Sequence, residues 1–167
     1  MSIAQSLLPE FDQEMANTRK VLERVPDDKW SWKPHERSGT VGWLAGHVGT
    51  VPEWLSMTLN SESLDYAPVD GPPPAPSKIE NTKQLLAAFD KAAGEARTAL
   101  VAASDDDFMK NWTLLAGGKE IFTMPRIACA RGMIMNHLIH HRGQLTVYLR
   151  LLNVPVPGLY GPSADEQ

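Results

Sequence analysis

The residues best suited to chemistry in this sequence are the histidines near its C-terminal end. His137, His140 and His141 fall within five positions. In an α-helix, residues four apart lie on one face, about 6 Å apart along the axis, so His137 and His141 could share one metal ion. His140 is rotated by about 100° from His141 and is not expected to bind the same ion. The alternatives are a solvated helix face, or core histidines that bond to backbone carbonyls.

Two further polar residues continue the same helical stripe. Gln144 and Tyr148 fall with His137 and His141 within an arc of about 60°. They are the candidate catalytic residues, because either could orient a bound water or substrate. Alternatively, both support the histidines through hydrogen bonds. Arg142 projects away from this stripe and is expected at the surface, as a free charge or in a dimer contact.

A third histidine lies on a separate predicted helix. Residues 39–60 have helical periodicity, and His47 lies at the centre of their apolar stripe. Pro52 lacks the amide that would bond to Val48, which predicts a kink just after His47. A lone histidine on an apolar face is usually a packed core residue. Beside a histidine pair on another helix, however, it would complete a three-ligand site with open positions.

The sequence lacks the usual base of a metal-dependent hydrolase. The zinc-protease motif has Glu directly after its first His, and here that position is Leu138. Glu53 projects about 120° from the His47 stripe. Cys129 precedes His137 by eight residues, about 12 Å of helix, and is expected in the core rather than at a metal.

The length and composition of the chain predict one globular domain over residues 1–167. The chain is 43% hydrophobic and 22% charged, with a formal net charge of −4. That charge offers no electrostatic surface for nucleic acid. No apolar run is long enough to cross a bilayer, and the single cysteine excludes an internal disulfide. These features predict a cytoplasmic protein that acts on a small molecule, with neither membrane nor nucleic acid as a partner.

Helical periodicity also predicts a first and a third helix, and a long connection joins the second helix to the third. The first covers residues 3–25, with a true start near Leu8 because Pro9 is tolerated only close to a helix N-terminus. The third runs over residues 81–103, capped by Asn81. The connection between the second and third helices, residues 61–80, is rich in proline. It is either a lid over the pocket or an extended crossover along the bundle.

The C-terminal half of the sequence has the pattern of a β-hairpin followed by the longest predicted helix. Residues 112–116 and 119–124 have strand character on either side of Gly117 and Gly118, which suit a tight turn. Pro125 then opens a fourth helix that runs to about Leu152. The predicted fold is therefore all-α: a four-helix bundle with one long crossover and a small β-hairpin before the last helix.

Three stretches together resemble the DinB-like (damage-inducible) family, a bacterial superfamily of four-helix bundles that includes thiol-dependent S-transferases. They are residues 42–47 (GWLAGH), 136–145 (NHLIHHRGQL) and 157–163 (PGLYGPS). The resemblance covers nearly the whole chain. It implies an up-down-down-up bundle, often a homodimer, with one divalent metal ion held by His47, His137 and His141.

The resemblance also implies a function. Characterised relatives activate a thiol, such as bacillithiol, mycothiol or glutathione, at the metal. Zinc and nickel are the first choices for the ion and iron the alternative, because imidazole suits all three. The implied activity is a thiol-dependent S-transferase. Two other interpretations stay open: a non-catalytic, metal-binding, stress-associated dimer, and a metal-dependent hydrolase.

Two structural expectations accompany this function. Five tryptophans are more than one small core readily hides, which favours a homodimer. An enzyme also needs an open position at its metal, so we expect a pocket at the histidines. Its boundary is expected to be either residues 61–80 or the loop at residues 30–35.

Overall fold

A computed structural model describes residues 1–72 and 78–166 of the chain. The fold is mostly helical, with one small three-stranded sheet. No helix in these residues is long and apolar enough to cross a membrane. The helices and strands are α1 Ile3–Leu22, α2 Val41–Thr50, α3 Glu53–Asn60, β1 Ser63–Asp65, α4 Thr82–Ala102, α5 Asp105–Met109, β2 Asn111–Ala116, β3 Lys119–Pro125, α6 Arg126–Ala128 and α7 Asn136–Leu151.

The first helix begins earlier than its proline suggests. Ser2 accepts a hydrogen bond from the amide of Gln5, and the Gln5 side chain accepts one from the amide of Ser2. This reciprocal cap satisfies amides that the first turn leaves without helical partners. The predicted start near Leu8 is therefore wrong, and Pro9 lies inside the helix.

The second predicted helix is divided in two by Pro52. Helix α2 ends at Thr50 and α3 begins at Glu53. The predicted break is confirmed, although it falls three residues after His47 rather than directly beyond it. His47 therefore lies in a regular helical turn.

The end of α4 leads into a short helix that periodicity does not reveal. Asn81 caps the start of α4 through the amide of Gln84, as predicted. The third helix was predicted to end at about Ala103, with no helix directly after it. Instead, Ser104 and Asp107 form a second capping box and start α5.

The predicted hairpin is present and belongs to a larger sheet. Strands β2 and β3 pair antiparallel, and both turn glycines have positive φ, +60° at Gly117 and +74° at Gly118. Strand β1 adds a parallel neighbour to β2 that was not predicted. The carboxylate of Asp65 accepts hydrogen bonds from both glycine amides, which ties this early strand to the hairpin turn.

The last predicted helix is not one regular α-helix. A short turn, α6, is followed by a π-helical segment, Cys129–Met135, and then by α7. A π turn contains an extra residue and so changes the phase of the residues before it relative to those after it. His137 and His141 both lie in α7, so their one-turn spacing is unaffected.

The main helices pack around α4 and α7. Helix α4 contacts α1, α2 and α3, while α7 contacts α1 and α2. The tryptophans are largely accommodated by this packing. Trp112 is buried, Trp30, Trp32 and Trp54 are partly buried against the core, and Trp43 alone among the five is mainly exposed.

A buried ion pair joins α1 to α7. Arg142 is only 1% exposed and lies 2.7 Å from the Glu14 carboxylate. The Arg142 guanidinium also donates to the Thr18 hydroxyl and to the Tyr160 hydroxyl, which in turn donates to Glu14. The expectation of a surface Arg142 is wrong, because the side chain points away from the histidines but into the contact with α1.

Replacing Glu14 by Ala should destabilise the protein strongly. The change leaves the Arg142 charge buried without its carboxylate, which costs about 3–5 kcal/mol in free energy of unfolding. Urea denaturation measures the loss. Asp12→Ala is the matched control, because Asp12 lies on the same helix as Glu14. It removes the exposed partner of Arg97 and should cost less than about 1 kcal/mol in free energy of unfolding. Equal losses would contradict a special role for the buried pair.

The C-terminal tail is held against α7 by a carboxylate. Asp165 accepts two hydrogen bonds from Arg150, at 3.0 and 2.6 Å, and one from the amide of Val156. The Arg150 bond, followed by the Val156 bond, lowers the pKa of Asp165 to about 2. Residues 154–166 of this tail contain no helix or strand.

This tail contact should weaken in acid. A carboxylate whose folded pKa lies below its unfolded value of 3.8 contributes stability above pH 3.8, and loses it as pH falls toward about 2. The difference in unfolding free energy between the native protein and Asp165→Asn should therefore shrink across that interval. Denaturation at a series of pH values measures it, and a difference that grows in acid would refute the assignment.

Candidate metal centre

Helices α2 and α7 bring three histidines together. His47 comes from α2, and His137 and His141 from α7. One ring nitrogen from each lies within 4.8 Å of the other two. The Nε2 atoms of His47 and His137 are 2.8 Å apart. The three side chains are half-buried, so the site lies at the edge of the core rather than at its centre.

The environment of His47 and His137 favours the neutral form that binds metals. Burial, followed by the charges of His141 and His137, lowers the pKa of His47 to about 4. Burial, followed by His141 and His140, also lowers the pKa of His137. A neutral imidazole keeps a ring nitrogen lone pair, so these side chains are suited to coordinate a cation at neutral pH.

Gln144 holds one histidine in place. Its Oε1 atom lies 2.7 Å from Nδ1 of His141, and its Nε2 lies 3.0 Å from Nε2 of His140. An amide oxygen can only accept, so this network assigns the proton to Nδ1 of His141 and leaves Nε2 free for a ligand. Of the two roles considered for Gln144, these contacts favour support of a histidine.

Tyr148 and His140 lie outside the convergent group. Tyr148 packs edge-on against Trp32, and its hydroxyl lies 3.5 Å from the carbonyl of Gly39, just before α2. His140 is exposed. Its ring meets the His141 ring edge-on, with centroids 5.0 Å apart, and its Nε2 bonds to Gln144. Helical projection placed Tyr148 on the histidine stripe, but its observed contacts are with the loop that precedes α2.

Two tryptophans enclose His47. The indole of Trp43 stacks on the His47 ring, with centroids 5.5 Å apart and planes 9° apart. Trp54 meets His47 edge-on and also contacts the His137 ring. No role at the site was predicted for either indole. The signal was available in their spacing, because both lie on the predicted stripe with His47.

A cavity of about 290 Å³ opens beside His47. Trp30 and Ile79 line it, and they belong to the two segments expected to bound a pocket. His47 alone of the three histidines is part of its lining. The lid proposed for residues 61–80 is only partly testable, since residues 73–77 lie outside the described residues. Strand β1, within that segment, pairs with the hairpin instead.

The other chemically capable residues lie away from the three histidines. Burial raises the pKa of Glu53, as does the nearby charge of Glu95 on α4, so this carboxylate is close to α4. Cys129 is buried, with its sulfur 3.7 Å from the Thr58 hydroxyl, as expected for a core residue. His35 is exposed in its loop. Among the described residues, the group able to hold a metal contains no carboxylate or thiol.

Sequence comparison identifies the family of this helical protein. The DinB superfamily matches residues 10–145, and the DinB family matches residues 132–167. The chain therefore belongs to the DinB superfamily. The resemblance noted in the three sequence stretches is confirmed, and the three converging histidines are a group that could hold a metal ion.

Individual relatives agree with this assignment. The chain is 27% identical over 160 residues to an uncharacterised Bacillus subtilis protein, YrdA, covering 95% of this chain and 89% of the relative. Two solved structures share the fold. A DinB-like protein from Bacillus cereus has a TM-score of 0.70 at 24% identity, covering 95% of this chain and 98% of its own. The DinB-like protein YjoA of Bacillus subtilis has a TM-score of 0.69 at 17% identity, covering 97% and 99%.

Removing the Gln144 amide should weaken any metal binding at this site. Gln144→Ala deletes the acceptor that fixes the His141 ring, and lost support of this kind typically lowers metal affinity about 10–100-fold. Gln144→Glu keeps an acceptor oxygen and should retain most of the affinity. Titration of the purified variants with Zn²⁺ measures both. Unchanged affinity in Gln144→Ala would show that the hydrogen bond does not position His141.

Proposed function

We propose that this protein binds one divalent metal ion through His47, His137 and His141 and is a metal-dependent enzyme. The activity best supported is transfer of a low-molecular-weight thiol to an electrophile. One observation carries the proposal: ring nitrogens of three histidines from two helices lie within 4.8 Å of one another. Zinc or nickel is the preferred ion and iron the alternative, because imidazole nitrogen suits each of them.

The spacing of the ring nitrogens fits a single ion. Metal–nitrogen bonds of about 2.0–2.2 Å allow two ligand atoms on one ion to be at most about 4.4 Å apart. The 2.8 Å separation between the Nε2 atoms of His47 and His137 lies within this limit. The upper bound of 4.8 Å for the whole group exceeds it only slightly, so small side-chain rotations suffice. Three protein ligands leave further positions for a substrate, as catalytic sites require.

The chain supplies ligands, orientation and shielding. A divalent ion at this site would act as a Lewis acid that lowers the pKa of a coordinated thiol, so that the nucleophilic thiolate forms at neutral pH. Gln144 fixes the ring of His141, while Trp43 and Trp54 cover parts of His47 and limit its contact with water. Cys129 is buried against Thr58 and its pKa is raised by burial, so the thiol comes from a cosubstrate.

The alternatives fit fewer of these contacts. A metal-dependent hydrolase needs a general base, and Glu53 lies close to α4 instead. A non-catalytic, stress-associated metal-binding dimer would use the same histidines but has no need of the cavity beside His47. The cavity therefore favours an enzyme.

Two finer structural features belong to the same proposal. We infer that α1, the α2–α3 pair, α4 and α7 form the up-down-down-up four-helix bundle implied by the family resemblance. The contacts of α4 and α7 support this inference.

We also propose a homodimer. Val147 and Leu151, which lie one turn apart on α7, are 57% and 56% exposed and provide an apolar surface for it. Light scattering tests the assembly, and a monomer at working concentrations would overturn it.

His137→Ala should abolish stoichiometric binding of Zn²⁺ or Ni²⁺, because it removes one of three ligands from the centre of the group. His140→Ala is the matched control, since it removes an exposed imidazole three positions along the same helix. Metal analysis of the purified variants and titration with either ion measure the difference. Equal loss in both variants would show that His137 has no special place in the site.

The enzyme assignment calls for a separate measurement. Protein loaded with Zn²⁺ or Ni²⁺ should accelerate the reaction of bacillithiol, mycothiol or glutathione with an electrophile such as monobromobimane. The rate should fall at least about tenfold in His137→Ala if the ion activates the thiol. A native protein that binds metal but accelerates none of the three thiols would favour the non-catalytic alternative.

A further inference from the structure

The cavity beside His47 has walls of tryptophan that the backbone holds in place. Trp30 and Trp43 both line it. A Cβ atom on Gly42 would collide with the Trp30 indole, and one on Gly39 would collide with the indole of Trp43. Each indole therefore lies directly against the backbone at a glycine, where no other residue leaves room. The ring of His47 also stacks on Trp43.

The cavity offers aromatic surface without charge. Among the described residues that line it, none is acidic and none is lysine or arginine. Thr50 carries the one hydroxyl of these residues, and that group already donates to the backbone carbonyl of Gly46, at 3.0 Å. The Trp43 side of the cavity faces solvent, since this residue is 59% exposed. An exposed indole beside a site able to hold a metal is apolar surface of the kind that binds ligands.

A third glycine keeps the floor of the cavity open. Gly46 lies one position before His47 and lines the space. A Cβ atom built there would have no neighbour within 4 Å. Glycine in the interior of a helix costs about 1 kcal/mol relative to alanine. No neighbouring atom requires glycine here, and a side chain at this position would have room in the space that Gly46 lines.

We propose that this cavity binds the uncharged aromatic part of a substrate against Trp30 and Trp43, beside His47. The ligand class is a small, flat, neutral aromatic molecule, since indoles pack on such rings and the lining supplies no cationic group for an anion. Its place as the electrophile subsite rests on the proposed function. The binding itself does not, because the cavity is formed by residues other than His137 and His141.

Indole is a suitable probe because it is flat and uncharged at neutral pH. It should bind the purified protein, as measured by calorimetry and by shifts of the Trp30 and Trp43 side-chain N–H signals in ¹H–¹⁵N spectra. Gly46→Leu fills the cavity and should weaken binding roughly tenfold or more, a loss equivalent to one well-formed aromatic contact. Gly94→Leu is the matched control, a helical glycine on α4 whose Cβ position is equally free, and should leave binding unchanged.

Two further measurements make the result decisive. Trp43→Ala removes an exposed wall and should also weaken indole binding about tenfold. Benzoate, a flat anion, should bind more weakly than indole, because the lining supplies no cationic group for it. Failure of indole to bind, equal loss in Gly94→Leu, or tighter binding of benzoate would overturn the inference. Metal content, measured on the same samples, reports separately on the proposed function, because indole binding is expected with or without a metal.

Discussion

The buried contact between Arg142 and Glu14 fixes the rotation of α7. A guanidinium that is 1% exposed is strongly destabilising unless a carboxylate and further hydrogen bonds compensate it, and these come from α1 and the C-terminal tail. Because Arg142 follows His141 directly, turning Arg142 toward α1 turns the His137–His141 face toward α2. The same helix thus presents a structural charge on one side and candidate ligands on the other.

The chemistry of the site follows from that rotation. Helix α2 supplies His47, and its packing against α7 brings the Nε2 atoms of His47 and His137 to 2.8 Å. Three partly buried imidazoles without a carboxylate form a neutral ligand set that would leave positions on an ion for an external ligand. Gly42 of α2 and Gly39 in the loop before it leave room for the indoles of Trp30 and Trp43, which line the cavity beside His47.

Much of this arrangement could be predicted because it depends on local patterns. The pairing of His137 with His141, the cap at Asn81 and the hairpin at Gly117 and Gly118 each arise from spacing within a few residues. The burial of Arg142 could not be predicted. Helical phase shows that Arg142 lies off the histidine stripe, but its partner Glu14 is 128 positions away in the sequence, and no local pattern reveals that contact. Strand β1 was missed for the same reason, because three residues acquire strand character only by pairing with β2.

The central claim is that three histidines hold one ion, and anomalous scattering from crystals grown with Zn²⁺ or Ni²⁺ tests it most directly. The account predicts a single strong peak, with ring nitrogens of His47, His137 and His141 at about 2.0–2.2 Å and at least one position open to solvent or to the cavity. A peak elsewhere, or an ion at this site closed by a fourth protein side chain, would contradict a catalytic metal centre at these residues.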